Sequence, residues 1–419
     1  MTTDASDDDH VTRHAGEARR LFALSWLAYA SYYFGRKGWS VVKASMGREL
    51  GLSSSALGAI DTGYLLAYAL GQLPSGLWVD RFGPRRILVG GMLLSAAACV
   101  LFAEQRTLLA LVACFALNGL AQATGYPSCT NLVARSVQTS GRGRALGLWS
   151  TCYQVGGVVA TAWATWLLAN HGVRAAFYGP AAWLAAVGLL CAFLLPATAA
   201  APTRDTLPPT AAAHAGSAAL ASRDALRSVR LYSYGACYFC LKLIRYSLLF
   251  WLPYYLSTDA ALSPSASGYV STAFEVGGVI GSVALGALSD RRRHARAGFA
   301  GASMLLLGLG LWAYAHAPFG ASLVWHVSML ALLGALVYGP DSLLSGAAAQ
   351  EAASPQAAGT AVGLVNGLGS LGALFQAAVT VSLQRTLGWN GVFLAFVALS
   401  VVGAMCLLPG MLRRSELPA

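Results

Sequence analysis

Arginine inside an apolar run is costly, and this chain carries one in each half at matching positions. In the stretch YYFGRKGWS, Arg36 and Lys37 follow LFALSWLAYASYYF, and Tyr29, Tyr33 and Arg36 fall at i, i+4 and i+7 on one helical stripe. Tyr238, Lys242 and Arg245 repeat that geometry. A guanidinium is a planar fork of N–H donors that meets phosphate oxygens two at a time, so the chemistry expected here is capture of an anion. Bond-making chemistry has no counterpart: the seven histidines fall into no metal-site or triad arrangement, and no nucleophile, ligand set or carboxylate pair converges. No enzyme, catalytic residue, metal or cofactor is expected.

A charge at the bilayer centre costs about 2.5 to 3.5 kcal/mol, so two arginines require compensation of roughly 5 to 7 kcal/mol. Three explanations compete. Arg36 and Lys37 could snorkel to an interface. A buried acid could pair with them, and Glu275, Asp61 and Asp341 are available. An anionic substrate could be held between Arg36 and Arg245. The symmetric placement favours the third.

The elements that must position these residues are membrane helices. Of 419 residues, 56% are hydrophobic and 11% charged, with a mean hydropathy of +0.57, too little charge to coat a soluble domain of this size. Twelve apolar blocks start near residues 22, 55, 86, 108, 143, 173, 229, 266, 297, 321, 358 and 388. The expected fold class is an all-α membrane protein of twelve transmembrane helices in two pseudo-symmetric six-helix bundles.

The net charge of +11 is a topology signal rather than a mark of nucleic-acid binding. With a cytoplasmic N-terminus, nineteen of the 28 Lys and Arg residues lie in the inner connections and termini. Only Lys43, Arg48, Arg106, Arg174 and Arg385 lie in outer connections. The eight cysteines suggest no disulfide framework, and Cys237 and Cys240, although spaced C-x-x-C, read as packing residues. The polar, acidic start TTDASDDDH gives no cleavable signal, so the first span reads as an uncleaved anchor.

The Ala-, Pro- and Thr-rich stretch from 196 to 222 divides the blocks into two sets of six. The expected divisions are a cytoplasmic tail over 1–20, a bundle over 21–196, a linker over 197–228, a second bundle over 229–412 and a tail over 413–419. The sets match in detail. A shift of 209 lays Tyr29 on Tyr238 and Arg36 on Arg245; a shift of 210 lays Gly58, Gly71, Gly76, Asp80 and Arg81 on Gly268, Gly281, Gly286, Asp290 and Arg291; a shift of 216 lays Gly143, Ala145, Gly147 and Gly156 on Gly359, Ala361, Gly363 and Gly372. This is the parallel repeat expected of a transporter that rocks two bundles about a midplane site. GLWVDRFGPRR and GALSDRRR occupy the cytoplasmic turns after spans two and eight, where Asp80, Arg81, Arg85, Asp290 and Arg291 could form ion pairs that shut the inner face. Pro127 and Pro340 are expected to kink spans four and ten. Gly156-Gly157 and Gly277-Gly278 are expected to allow close packing.

The D-R-x-G-x-R-R turn and its echo resemble the major facilitator superfamily. YYFGRKGWSVVK, NGLAQATGYPSCTNL, YFCLKLIRYSLLFWLPYYL, AFEVGGVIGSVALGALSDR and YGPDSLLSG resemble its organophosphate:phosphate antiporter family, nearest the sugar-phosphate exchangers. The resemblance implies exchange of a phosphorylated metabolite for inorganic phosphate by a monomer in a bacterial inner membrane, with both termini cytoplasmic. It places the family's phosphate-holding arginines on Arg36 and Arg245, and aromatic pocket positions on Tyr29, Tyr33, Tyr68 and Tyr338. Gln72 stands where some members have lysine and Tyr153 where they have histidine, while Lys242 adds a cation one turn from Arg245. The alternatives are a membrane sensor of sugar phosphates and a cation-coupled carrier that recruits Glu275.

Overall fold

The computed structural model describes residues 4–136, 148–196, 221, 223–292, 295–316, 321–354 and 357–408. Arg142, Arg144, Gly143, Ala145, Gly147, Arg293, most of the expected linker and the final tail lie outside the described residues.

The chain divides into two compact units, Met1–Leu52 with Ala59–Ala201, and Ser53–Gly58 with Pro202–Ala419. The first contains α1 (Asp4–Leu50), most of α2 (Ser54–Phe82), α3 (Pro84–Glu104), α4 (Leu108–Ala123), α5 (Gly125–Ser136), α6 (Thr151–His171) and α7 (Ala175–Leu194). The second contains α8 (Val229–Thr258), α9 (Pro264–Arg291), α10 (Arg296–Ala315), α11 (Leu323–Ser342) and α12 (Ala358–Cys406). A π-turn, Leu343–Ala347, and a last helical turn, Ala348–Glu351, extend α11.

α4 and α5 form one span, and Gly388, at φ 68°, breaks α12 into two. Only a residue without Cβ adopts that backbone cheaply. So divided, the described helices are consistent with the twelve expected spans, and eight of them are long and apolar enough to cross a membrane. The helices that open on described residues from α2 onward start within about two residues of the apolar blocks, apart from the fifth span, whose expected start lies outside the described residues. α1 differs: it is helical from Asp4, through the segment read as a tail, and onward to Leu50. An acidic opening segment suits a helix N-terminus, whose peptide dipoles favour negative charge.

Within the first unit α1 packs on α5, α6 and α7, while α3 packs on α4 and α7. Within the second α8 packs on α12, and α9 on α11. Close approach depends on missing side chains: a Cβ on Gly156 would lie 2.6 Å from the Ala30 carbonyl oxygen, and one on Gly277 would collide with the Ala331 carbonyl. Cys237 and Cys240 are buried and free, in keeping with packing roles. Leu109, Phe193, Leu309 and Val324 stand exposed, as lipid-facing positions require.

Candidate functional site

Arg36 lies in the C-terminal third of α1 and is 8% exposed. Its Nε donates to Gln122 Oε1 at 2.7 Å. Tyr64 donates to the same oxygen at 2.9 Å, so one neutral amide carbonyl from α4 serves a cation and a phenol. The amide is held in turn. Gln122 Nε2 lies 3.3 Å from Asn118 Oδ1 and 3.4 Å from Ser95 Oγ, Ser95 donates to Asn118 at 2.6 Å, and Asn118 Nδ2 donates to the Gly35 carbonyl at 2.8 Å. This chain of bonds ties α1, α3 and α4 together beside the guanidinium. The guanidinium carbon sits 4.6 Å from the Tyr33 ring centroid and 5.6 Å from that of Tyr68, within cation–π range. Nη2 is buried with no hydrogen-bond partner among the described residues. No carboxylate pairs with Arg36 among them.

Tyr29 anchors an aromatic cluster on the same stripe. Its ring centroid lies 6.3 Å from Tyr33, 5.3 Å from Tyr153, 6.0 Å from Tyr126 and 5.1 Å from Trp149. Tyr29, Tyr33, Arg36, Tyr68 and Tyr153 therefore form one neighbourhood in the first unit. Gln72, one turn beyond Tyr68, is half-buried and makes no side-chain hydrogen bond among the described residues.

The second unit solves the same problem differently. Arg245 Nη1 lies 2.8 Å from Asp341 Oδ2, with side-chain exposures of 12% and 14%. Its guanidinium carbon stands 4.2 Å from the Tyr338 ring centroid. Lys242 Nζ is 4.8 Å from the Tyr238 ring and donates to Ser370 at 3.3 Å. Pro340 lacks the N–H that would bond the Leu336 carbonyl; Ser303 donates to that oxygen instead at 3.0 Å. The shift of 213 that matches Pro127 with Pro340 puts Ala335 at the place of Gln122, so no side-chain amide is available. The acid one residue after the proline takes its part.

The competing explanations for the buried charges thus divide by residue. Arg36 and Lys37 are both buried, which excludes snorkelling to lipid headgroups. Internal pairing holds for Arg245, through Asp341 at 2.8 Å. Asp61 is occupied elsewhere: it receives Lys43 Nζ at 2.7 Å and Trp39 Nε1 at 2.7 Å. Lys43, expected in an outer connection, is fully buried because α1 continues past it.

The turns after spans two and eight also differ from expectation. Asp80 and Arg81 are exposed, and Asp80 joins no ion pair among the described residues. Arg81 lies over the adjacent Phe82 ring at 5.4 Å, and Arg85 donates to the Ala192 carbonyl at the end of α7. In the second unit Asp290 pairs with Arg296, at 2.9 Å, rather than with Arg291. Arg296 also reaches Glu351 at 3.4 Å. This three-residue group links α9, α10 and the extension of α11, and sequence reasoning missed Arg296 and Glu351.

A sequence profile described as Major Facilitator Superfamily matches residues 25–377 and 237–418. The chain belongs to the major facilitator superfamily. Solved major facilitator structures share the fold: a bacterial homologue of the human lysosomal transporter Spinster, inward-facing and unoccupied, superposes with a TM-score of 0.75 at 16% identity over 94% of each chain. The nucleoside transporter NupG superposes at 0.72, again at 16% identity, over 94% of this chain and 99% of that one. Among curated relatives, sugar phosphate exchanger 3 of Xenopus laevis is 28% identical, over 94% of this chain and 92% of its own length. A glucose-6-phosphate exchanger of Xenopus tropicalis is 26% identical, over 93% and 91%. A probable hexose phosphate transport protein of Chlamydia pneumoniae is 25% identical, over 93% and 90%.

Proposed function

We propose that this chain is a secondary transporter that exchanges a phosphorylated metabolite of the sugar-phosphate class for inorganic phosphate by alternating access. One observation carries the reading: Arg36 is buried, with a neutral amide as its hydrogen-bond acceptor and an Nη2 that has no partner among the described residues. A buried guanidinium without a counter-ion is stable only where an anion or water regularly reaches it. The relatives named for sugar-phosphate and hexose-phosphate transport supply the chemistry of that anion.

In this reading the substrate-binding residues are Arg36, Arg245, Lys242, Tyr29, Tyr33, Tyr68, Gln72, Tyr153 and Tyr338. Arg36 is the cation of the first unit, and Lys242 stands beside Arg245 in the second, where Asp341 pairs with Arg245. A buried cation without a counter-ion is stabilised by a bound dianion, so the conformational switch is favoured with cargo aboard. Exchange then follows from electrostatics. The tyrosines and Gln72 meet the organic part of the cargo. Asp80, Arg81, Arg85, Asp290 and Arg291 act at the inner mouth, Asp290 as a member of the Arg296 group and Arg291 next to it in sequence. The protein works as a monomer in a bacterial inner membrane, with both termini cytoplasmic. The test is labelled-phosphate exchange in liposomes with wild type and Arg36→Ala: loss of exchange in the variant supports the role, and unchanged exchange removes it.

A further inference from the structure

The two basic positions of the repeat are alike in sequence and unlike in partner. Arg36 rests on a neutral amide, whereas Arg245 rests on Asp341 at 2.8 Å. The residue that the repeat places opposite Asp341 is Ser128, whose hydroxyl is used locally on the Thr124 carbonyl at 2.7 Å. The carboxylate therefore belongs to one half only.

Asp341 sits at an irregular end of α11, and only one of its carboxylate oxygens meets a partner among the described residues. It follows Pro340, precedes the π-turn Leu343–Ala347, and its carbonyl accepts the Ser345 hydroxyl at 2.7 Å. Its Oδ2 meets Arg245, while Oδ1 is buried with no hydrogen-bond partner among the described residues. A carboxylate accepts from several directions, so this one is satisfied on one side only. Its Oδ2 accepts from Arg245 as a phosphate oxygen could, since carboxylate and phosphate oxygens are both acceptors for a guanidinium.

We propose that Asp341 is an internal counter-anion that a phosphate group displaces from Arg245, and that it is thereby a specificity-determining residue of the exchange site. This rests on the phosphate-exchange reading given above. While Asp341 holds Arg245, a weak or monovalent anion gains little by exchanging one single-charge acceptor for another. A phosphoryl dianion gains charge as well as a contact, and Lys242, one turn away, is placed to stabilise it further. Asp341 therefore lowers affinity for every anion, most of all for those that cannot repay its displacement, and keeps Arg245 compensated between cargoes.

The test uses the full chain in detergent and in liposomes, with inorganic phosphate as the probe. In Asp341→Asn, isosteric but neutral, the phosphate concentration needed for half-maximal thermal stabilisation and the KM for phosphate homoexchange should both fall, by about tenfold. The gain should be larger above the second ionisation of phosphate than below it, which loss of a merely structural contact would not produce. Asp341→Ser, carrying the residue of the other half, should behave the same way if the asparagine variant does not fold. Weaker or unchanged phosphate binding in the variants, with wild type still exchanging phosphate, overturns the displacement and leaves the transport reading standing. A wild type that neither binds nor exchanges phosphate overturns both.

Discussion

Lys43 Nζ donates to Asp61 Oδ2 at 2.7 Å, and neither side chain has any exposure. Trp39 donates to the other carboxylate oxygen at 2.7 Å, so α1 and α2 are joined by a buried ionic unit two helical turns along α1 from Arg36. Removing one partner of such a pair leaves an uncompensated buried charge, at a cost of about 3 to 5 kcal/mol. Asp61→Asn should therefore lower the thermal unfolding midpoint sharply, and Lys43→Met combined with Asp61→Leu should recover most of the loss. A double variant no better than the single one would show that the pair is not the source of the stability.

Gln122 should behave as a positioning residue for Arg36. Gln122→Leu removes the acceptor of both Arg36 and Tyr64 while keeping helical volume, and should raise the phosphate KM several-fold with a small change in maximal rate. Arg36→Ala should cost about 2 to 5 kcal/mol in apparent substrate affinity, a loss of thirtyfold or more. Arg36→Lys should recover little of it, because an ammonium cannot present a planar fork. Exchange kinetics on the three variants decide the order.

Much of the fold was legible because helices in hydrocarbon announce themselves by length and hydropathy, and the internal repeat pointed to two matching halves, as the two compact units show. Arg36 and Arg245 were legible because charge in an apolar run is expensive. The partners were not. Gln122 and Asn118, at i and i+4 in NGLAQATGYPSC, carry no charge to flag them, although a pair of amides on one face of an apolar span was a usable signal. Asp341 was one of three candidate acids, and only the packing of α8 against α11 shows that it reaches Arg245. Lys43 was read as a loop residue because hydropathy falls before the helix ends. Arg296 and Glu351 were missed for the same reason at the mouth of the second bundle, where charge is ordinary and only contact shows which charges pair.

The Arg296 group should affect conformational cycling more than binding. Arg296→Ala leaves Asp290 and Glu351 without their shared cation, so turnover should change severalfold while the KM for phosphate stays near wild type. Exchange measured over a range of phosphate concentrations separates the two. A change confined to KM would place this group in recognition instead.

Glu275 distinguishes the exchanger from a cation-coupled carrier. It is 3% exposed within α9, as a coupling carboxylate would be. In a phosphate exchanger, Glu275→Gln should retain homoexchange, and an imposed proton gradient should not drive net uptake in wild type. Loss of transport in Glu275→Gln together with proton-driven uptake in wild type would favour the carrier.

The most direct measurement is efflux of labelled phosphate from liposomes that contain the purified, correctly inserted protein. External glucose 6-phosphate or inorganic phosphate should release the label in a saturable way, buffer without an anion substrate should release almost none, and Arg36→Ala should abolish the response. Folded, inserted wild-type protein that releases no label to any external phosphate compound would contradict the proposed exchange.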